Sequence, residues 1–305
     1  MHALGDWTKF LAAAAPLRPR LHQYCARLLG SVMDAEDIVQ DTLIKAYTAA
    51  NLPQEKSQWQ PWLFKIAHNR SIDFLRADRA RNHYLLSEQD EMLIELGQDS
   101  LAAAQEDPLE QLTQQETLRV SLAVFLCLPI YQRSVVILKD VLGESLAEIA
   151  QLLDLTQDAV KAHLARGRKN LLARRGRSFN HNPTPSHSPQ LTHYVALFNQ
   201  RDWEALRQLL SSEVQLQQSS HPVRKGAADV GTFFTIYARC DFGRLEAAWL
   251  DGREVILVYP PEATTPLYLM WLEWQANRIV FIRDYRYVDY LLAELPLIER
   301  VWANY

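Results

Sequence analysis

Apolar residues in the first quarter of the chain recur at helical spacing. From Asp34 to Tyr47, Val39, Leu43 and Tyr47 stand four apart on one stripe, and Asp34, Glu36 and Asp37 fill the first turn, where acids suit the helix dipole. Pro53 and Pro61 bracket a loop. Trp62 to Arg81 then carries a second long helical pattern through Leu63, Ile66, Ile72 and Leu75, which puts Leu63, Ile66 and Phe74 in a core. Residues 116–173 are helical again, with breaks at Leu128-Pro129 and Gly143. The polar stretch that follows holds three prolines and ends at Pro189, a stiff inter-domain linker. Leu191, Tyr194, Val195 and Phe198 mark another helix, and Asp202 caps a further one through Leu210.

From Leu245 the period shortens towards two. Leu245–Leu250 and Arg253–Tyr259 flank Asp251-Gly252, a type I′ hairpin signal, and Leu267–Gln275 and Ile279–Tyr287 flank a short Ala-Asn-Arg turn. A four-stranded meander is expected, closed by a helix from Val288. The pattern thus predicts an all-α front half joined to an α+β domain.

The chain has 305 residues, 48% of them apolar, which excludes a wholly disordered protein and allows two or three domains. No run of 18 apolar residues occurs, and Phe10–Ala15 is too short and lacks the basic flank of a signal peptide, so neither a membrane span nor export is expected. Cys25, Cys127 and Cys240 lie far apart, which reads as free thiols in a reducing cytoplasm and against a disulfide scaffold or a zinc site. The net charge of −4 conceals blocks: residues 10–82 carry +3, 83–119 carry −8, 120–182 carry +4 and 183–305 carry −3. Lys161 to Arg177 holds seven cations and no acid, either a solvated face or a nucleic-acid footprint.

The segment Ser145–Leu171 decides between these two. Leu146, Ile149 and Ala150 form the apolar face of one helix, Leu155 fills a turn, Thr156 is an N-cap, and Val160, Leu164 and Leu171 hold a second helix against the first. The remaining face of the second helix shows Gln157, Lys161, His163, Arg166 and Arg168, residue types that reach base edges or phosphates. Cap, turn, core and basic face agree on a DNA-binding helix-turn-helix.

Two further motifs precede this one in order: Asp34-Ala-Glu-Asp-Ile-Val-Gln-Asp-Thr42 and Trp62-Leu-Phe-Lys-Ile-Ala-His-Asn-Arg-Ser-Ile-Asp-Phe-Leu-Arg76. Leu128-Pro-Ile-Tyr-Gln-Arg-Ser-Val-Val-Ile-Leu-Lys-Asp-Val141 introduces the helix-turn-helix. Together they resemble an extracytoplasmic-function sigma factor over residues 10–175. The resemblance implies region 2 at 10–82, an acidic linker at 83–115, region 4 at 116–175 and a Pro-rich linker at 176–189. It implies core RNA polymerase and promoter DNA as partners, with no membrane, no cofactor and a cytoplasmic location.

By the same resemblance, region 4 reads −35 DNA through Thr156, Gln157, Lys161, His163, Arg166, Arg168 and Lys169. Region 2 engages the −10 element through Trp62, Lys65, Asn69, Arg76 and Arg79, with Asn69 near a captured base and Trp62 either core or contact. Asp34, Asp37 and Asp41 are either solvated N-terminal acids or a polymerase-facing set. The linker is either a polyanion mimic in the polymerase cleft or a soluble spacer. Three positions depart from the family pattern: Ile130 replaces a common Pro, His163 a frequent Arg, and Gly167 lies inside the reading helix.

Residues 190–305 resemble a SnoaL-like fold, helices over a curved sheet making a cone. The full expectation is multidomain, two all-α sigma domains followed by an α+β SnoaL-like cone-shaped domain that modulates activity. Tyr194, Tyr237, Asp241, Trp271 and Tyr285 are its pocket candidates, with His193 and Asp284 also in view. They either line the cone or fill it, and no catalytic residue or metal ligand is assigned. An intramolecular contact with the sigma core and an anti-sigma factor are further partners the resemblance allows. Two other readings stay open: a SnoaL-type isomerase or cyclase fused to a DNA-binding half, and a conventional helix-turn-helix regulator.

Overall fold

A computed structural model describes residues 4–49, 53, 55, 58–82, 125–174, 186–239 and 243–293. The chain divides into two compact units, one carrying the described helices up to residue 174 and the other the described residues from 186 onward. The acidic linker 83–115 lies outside the described residues, as do Asp241 and most of the Pro-rich linker.

The first unit begins with α1 (Leu4–Ala14), a single 3₁₀ turn, α2 (Arg18–Leu29), α3 (Val32–Thr48) and α4 (Trp59–Asn82). Gly30 ends α2 at φ +79°, a left-handed position that suits glycine, and Ser31 then caps α3 by accepting from the Asp34 amide at 3.0 Å. Val39 and Leu43 are buried as the stripe predicts, and Tyr47 meets the rings of Trp7 and Phe10 on α1. That aromatic cluster continues to Trp59, so the helical bundle starts ahead of residue 10, at α1. Of the predicted α4 core, Leu63 is fully buried, while Ile66 and Phe74 are half-buried.

The same unit holds α5 (Ile130–Val136), continued by a π turn over Ile137–Val141, then α6 (Leu146–Leu153) and α7 (Gln157–Arg174). Arg133 is buried and donates to the carbonyls of Leu28 (2.6 Å), Leu126 (2.8 Å) and Leu128 (2.9 Å), joining α5 to the end of α2. Replacing it leaves three carbonyls without a charged donor, a costly loss in a buried site.

In the second unit, α8 (Pro189–Asn199), α9 (Trp203–Gln208) and α10 (Ala227–Tyr237) accompany β1 (Leu210–Gln218), β2 (Arg224–Lys225), β3 (Arg244–Leu250), β4 (Arg253–Tyr259), β5 (Tyr268–Gln275) and β6 (Arg278–Asp284), with α11 (Asp289–Ala293) last. The strand order is β2-β1-β6-β5-β4-β3, with β1 parallel to β6 and the other pairs antiparallel. The expected meander is therefore β3 to β6 of a larger sheet. The helix expected to run through Leu210 stops at Gln208, because the chain there turns into β1 with Val214, Leu216 and Gln218 facing inward.

Both hairpin turns have the geometry expected of type I′. Asp251 and Gly252 lie at φ +52° and +71°, and Ala276 and Asn277 at +47° and +62°. Asn199 extends edge strand β3 by exchanging two hydrogen bonds with the Leu245 backbone, at 2.9 and 3.0 Å. α8 and α10 cover one face of the sheet, where Leu191, Tyr194, Phe198, Val230, Phe234 and Tyr237 meet Leu216, Ile256, Val258, Met270, Leu272 and Ile282.

Candidate nucleic-acid interface

The helix-turn-helix is set by local chemistry at each end of its turn. Ser145 and Glu148 form a reciprocal capping box at the start of α6 (2.8 and 3.2 Å), and these hydrogen bonds hold the Glu148 carboxyl below its usual range. Asp154 ends α6 at φ +55°, and the Thr156 hydroxyl starts α7 by accepting from the Ala159 amide at 3.2 Å. Ile149, Ala150, Val160, Leu164 and Leu171 are buried, as the spacing predicts.

Gly167 departs from the family pattern for a reason visible at the α5–α7 crossing. A Cβ there would lie 2.6 Å from Val136 Cγ2 and 3.2 Å from the Gln132 carbonyl. Only a residue without a side chain lets the two helices approach so closely.

The outward face of α7 is a stripe of Gln157, Lys161 and Lys169, all exposed, with Arg166 half-buried beside it. Lys161 lies 3.4 Å from Asp158, but both side chains stand in water and such a pair is worth at most about 1 kcal/mol. Two expected contacts need correction. His163 is 6% exposed and stacks on Tyr131, with burial lowering its pKa, so the ring faces the bundle core and not the outer face. Arg168 grips the buried Asp140 with two hydrogen bonds (3.0 and 2.7 Å), so its guanidinium braces α7 against the π turn.

On α4, Asn69 and Arg76 are exposed and Trp62 is half-buried; the Arg79 side chain lies outside the described residues. Lys65 is paired with Asp154 of the helix-turn-helix at 2.8 Å. Asp41 finds a basic partner on another helix, Arg70 of α4 at 2.5 Å. Asp34 is half-buried at the α3 cap, while Asp37 and Asp41 share an exposed stripe with Ile44 and Thr48. Ile44, 47% exposed, is the residue that sequence reasoning passed over; its signal was an apolar side chain on an otherwise polar stripe.

Between α2 and α4, Tyr24 and His68 share a buried hydrogen bond of 2.7 Å. Burial raises the phenol's pKa and pushes His68 down to about 4, against a smaller opposing pull from Asp154.

In the second unit the sheet sorts the pocket candidates by face. Tyr194 and Tyr237 lie on the helix-covered side with Tyr268 and Asp284. Asp284, 2% exposed, accepts from Gln218 at 2.7 Å and from the Arg286 amide at 2.9 Å, yet desolvation raises its pKa. Trp271 and Tyr285 do not belong to this group. Trp271 pairs in register with Val255 and Arg283, alternating with the core residues Met270 and Leu272, and Tyr285 rests against Arg283. Among the described residues no group of three His, Cys, Asp or Glu side chains is placed to hold a metal, and no helix is long and apolar enough to cross a membrane.

The first unit thus presents bundled helices followed by a helix-turn-helix with a cationic outer face. Residues 14–81 match the model for Sigma-70 region 2, and residues 122–171 that for Sigma-70, region 4. The chain is 30% identical over 172 residues to the ECF RNA polymerase sigma factor SigW of Bacillus subtilis, covering 55% of this chain and 89% of that protein. It is 31% identical over 225 residues to the ECF RNA polymerase sigma factor SigG of Mycobacterium tuberculosis, covering 67% of this chain and 60% of the relative's length. The chain belongs to the ECF sigma factor family. The crystal structure of the Mycobacterium tuberculosis extracytoplasmic function sigma factor SigJ aligns with 91% of this chain and 95% of its own at 17% identity and a TM-score of 0.32.

Proposed function

We propose that this protein is an initiation factor that docks on core RNA polymerase and directs promoter recognition, with region 4 on the −35 element and region 2 on the −10 element. The observation that carries this reading is the α7 stripe of Gln157, Lys161 and Lys169, held outward by a fully formed helix-turn-helix. Phosphate contacts from Lys161 and Lys169 position the helix, and Gln157 at its N-terminal end is the base reader. On region 2, Asn69 and Arg76 face the melted strand, while Asp37, Asp41 and Ile44 face the polymerase. The domain boundaries, 10–82, 83–115, 116–175, 176–189 and 190–305, follow the same reading, as does a cytoplasmic location.

The C-terminal domain is read as a SnoaL-like cone that modulates activity and does not catalyse. Run-off transcription with core polymerase tests both parts. The full chain initiates from a cognate promoter, and a chain ending at residue 185 initiates with altered activity. Binding to DNA without initiation would favour a conventional regulator. One observation favours an enzyme, the raised pKa of buried Asp284 among three phenols. That reading predicts unchanged transcription after truncation.

A further inference from the structure

We propose that the second unit holds a binding site for a small, largely apolar ligand carrying a hydrogen-bond-accepting oxygen, a carbonyl or a phenolate, gripped by Tyr194, Tyr237, Tyr268 and Asp284. The sheet's own pattern marks the place. On β1, β6 and β5 the helix-covered face is apolar through Leu216, Ile282, Met270 and Leu272, and turns polar at one end. Gln218 follows Leu216 on β1, and Asp284 follows Ile282 on β6, in register with both Gln218 and Met270. Tyr268 precedes Met270 on β5. Three adjacent strands thus bring an amide, a carboxyl and a phenol to one end of the core. Tyr194 of α8 and Tyr237 of α10 stand within electrostatic reach of them.

Packing alone does not call for this set. All five side chains are at most 7% exposed, and burying polar groups carries a cost that Leu or Ile would avoid. Four of them answer one another. Gln218 donates to Asp284 at 2.7 Å, the Arg286 amide donates to the other carboxyl oxygen at 2.9 Å, and Tyr237 and Tyr268 share a hydrogen bond. Tyr194 is left over: among the described residues its hydroxyl has no hydrogen-bond partner, although Tyr237 and Asp284 both act on it. A ligand oxygen would satisfy that buried donor.

The chemistry of the set selects an acceptor. Burial raises the pKa of all three phenols and of Asp284, which favours their protonated, donating forms. Arg286, half-buried with its guanidinium 5.8 Å from the Tyr268 ring centre, adds a cation. An ammonium group would meet donors and a like charge, so an oxygen acceptor fits and an amine does not. Apolar surface leads in from solvent: Ile236, next to Tyr237 on α10, is exposed, as is Tyr287, which acts on Tyr237 and stacks on His221 at 4.3 Å.

Titration of the full chain with 4-nitrophenol tests this, with benzylamine as the matched amine. One equivalent of 4-nitrophenol binds by calorimetry and benzylamine does not. Tyr194→Phe removes the hydroxyl alone and weakens 4-nitrophenol binding roughly five- to tenfold. The melting temperature of the second unit stays level or rises in that variant, a split between affinity and stability that a merely structural tyrosine would not give. No binding of 4-nitrophenol, tighter binding of benzylamine, or an affinity unchanged by Tyr194→Phe overturns the proposal. The site does not depend on the domain being a modulator: truncation at residue 185 tests that reading, and these titrations need neither promoter nor polymerase.

Discussion

Gly167→Ala puts the packing of the recognition helix to a quantitative test. Helix propensity alone favours the change by about 1 kcal/mol, because Gly167 lies in the interior of α7. Packing opposes it. The new methyl would meet Val136 Cγ2 at 2.6 Å, and Val136 is fully buried and β-branched, so its rotamer has little freedom to retreat. The Gln132 carbonyl at 3.2 Å closes the other side. Overpacking of this kind costs about 1–3 kcal/mol, leaving a net loss near 1 kcal/mol. In urea denaturation of the full chain, followed by a probe on region 4, the midpoint falls by about 0.3–1 M. The pair Val136→Ala with Gly167→Ala is less destabilised than the two single losses added together, because the smaller side chain makes room for the methyl. A Gly167→Ala protein as stable as the parent, or more so, refutes the close-approach argument and leaves the glycine as a helix defect only.

His68 gives the first unit a pH dependence. Its pKa falls from 6.5 to about 4 on folding, so between those values the unfolded chain binds a proton that the folded one does not. Stability is then full above about pH 6.5 and declines as pH falls towards 4, by up to about 3 kcal/mol; His68→Asn flattens this slope in denaturation curves taken across that range. Lys161→Gln weakens binding to −35 duplexes of different sequence about equally and lowers the slope of log affinity against log salt by about 1; an unchanged slope would place Lys161 off the phosphates. Ala276→Gly relieves a left-handed alanine at φ +47° and raises the melting temperature of the second unit, by an amount matching up to about 1 kcal/mol; a lower melting temperature would show the turn to be unstrained.

Local patterns reached a long way into this fold. The Val39–Leu43 stripe, the Thr156 cap and the Asp251-Gly252 turn each depend on neighbours within a few residues, so the sequence carries them openly. The α7 face was legible in part for the same reason, since helical spacing assigns Gln157 and Lys161 to one side. His163 and Arg168 were misplaced because their partners, Tyr131 and Asp140, lie 32 and 28 residues away and become visible only when α5 and α7 cross.

Strand β1 was missed on similar grounds. Its polar run gains strand character from parallel pairing with β6, more than 60 residues on, and parallel pairing leaves no turn signal behind. The sheet also decided which aromatics share the helix-covered face, because a bulge between Glu273 and Trp274 fixes the register that puts Asp284 on that face and Trp271 on the other. The amino-acid order by itself determined most of the helices, the Thr156 cap, the hairpins and the class of protein. Only the tertiary structure decided which charges stand free and which are already held, because a side chain's partner is chosen in space, while periodicity records only its place on one element.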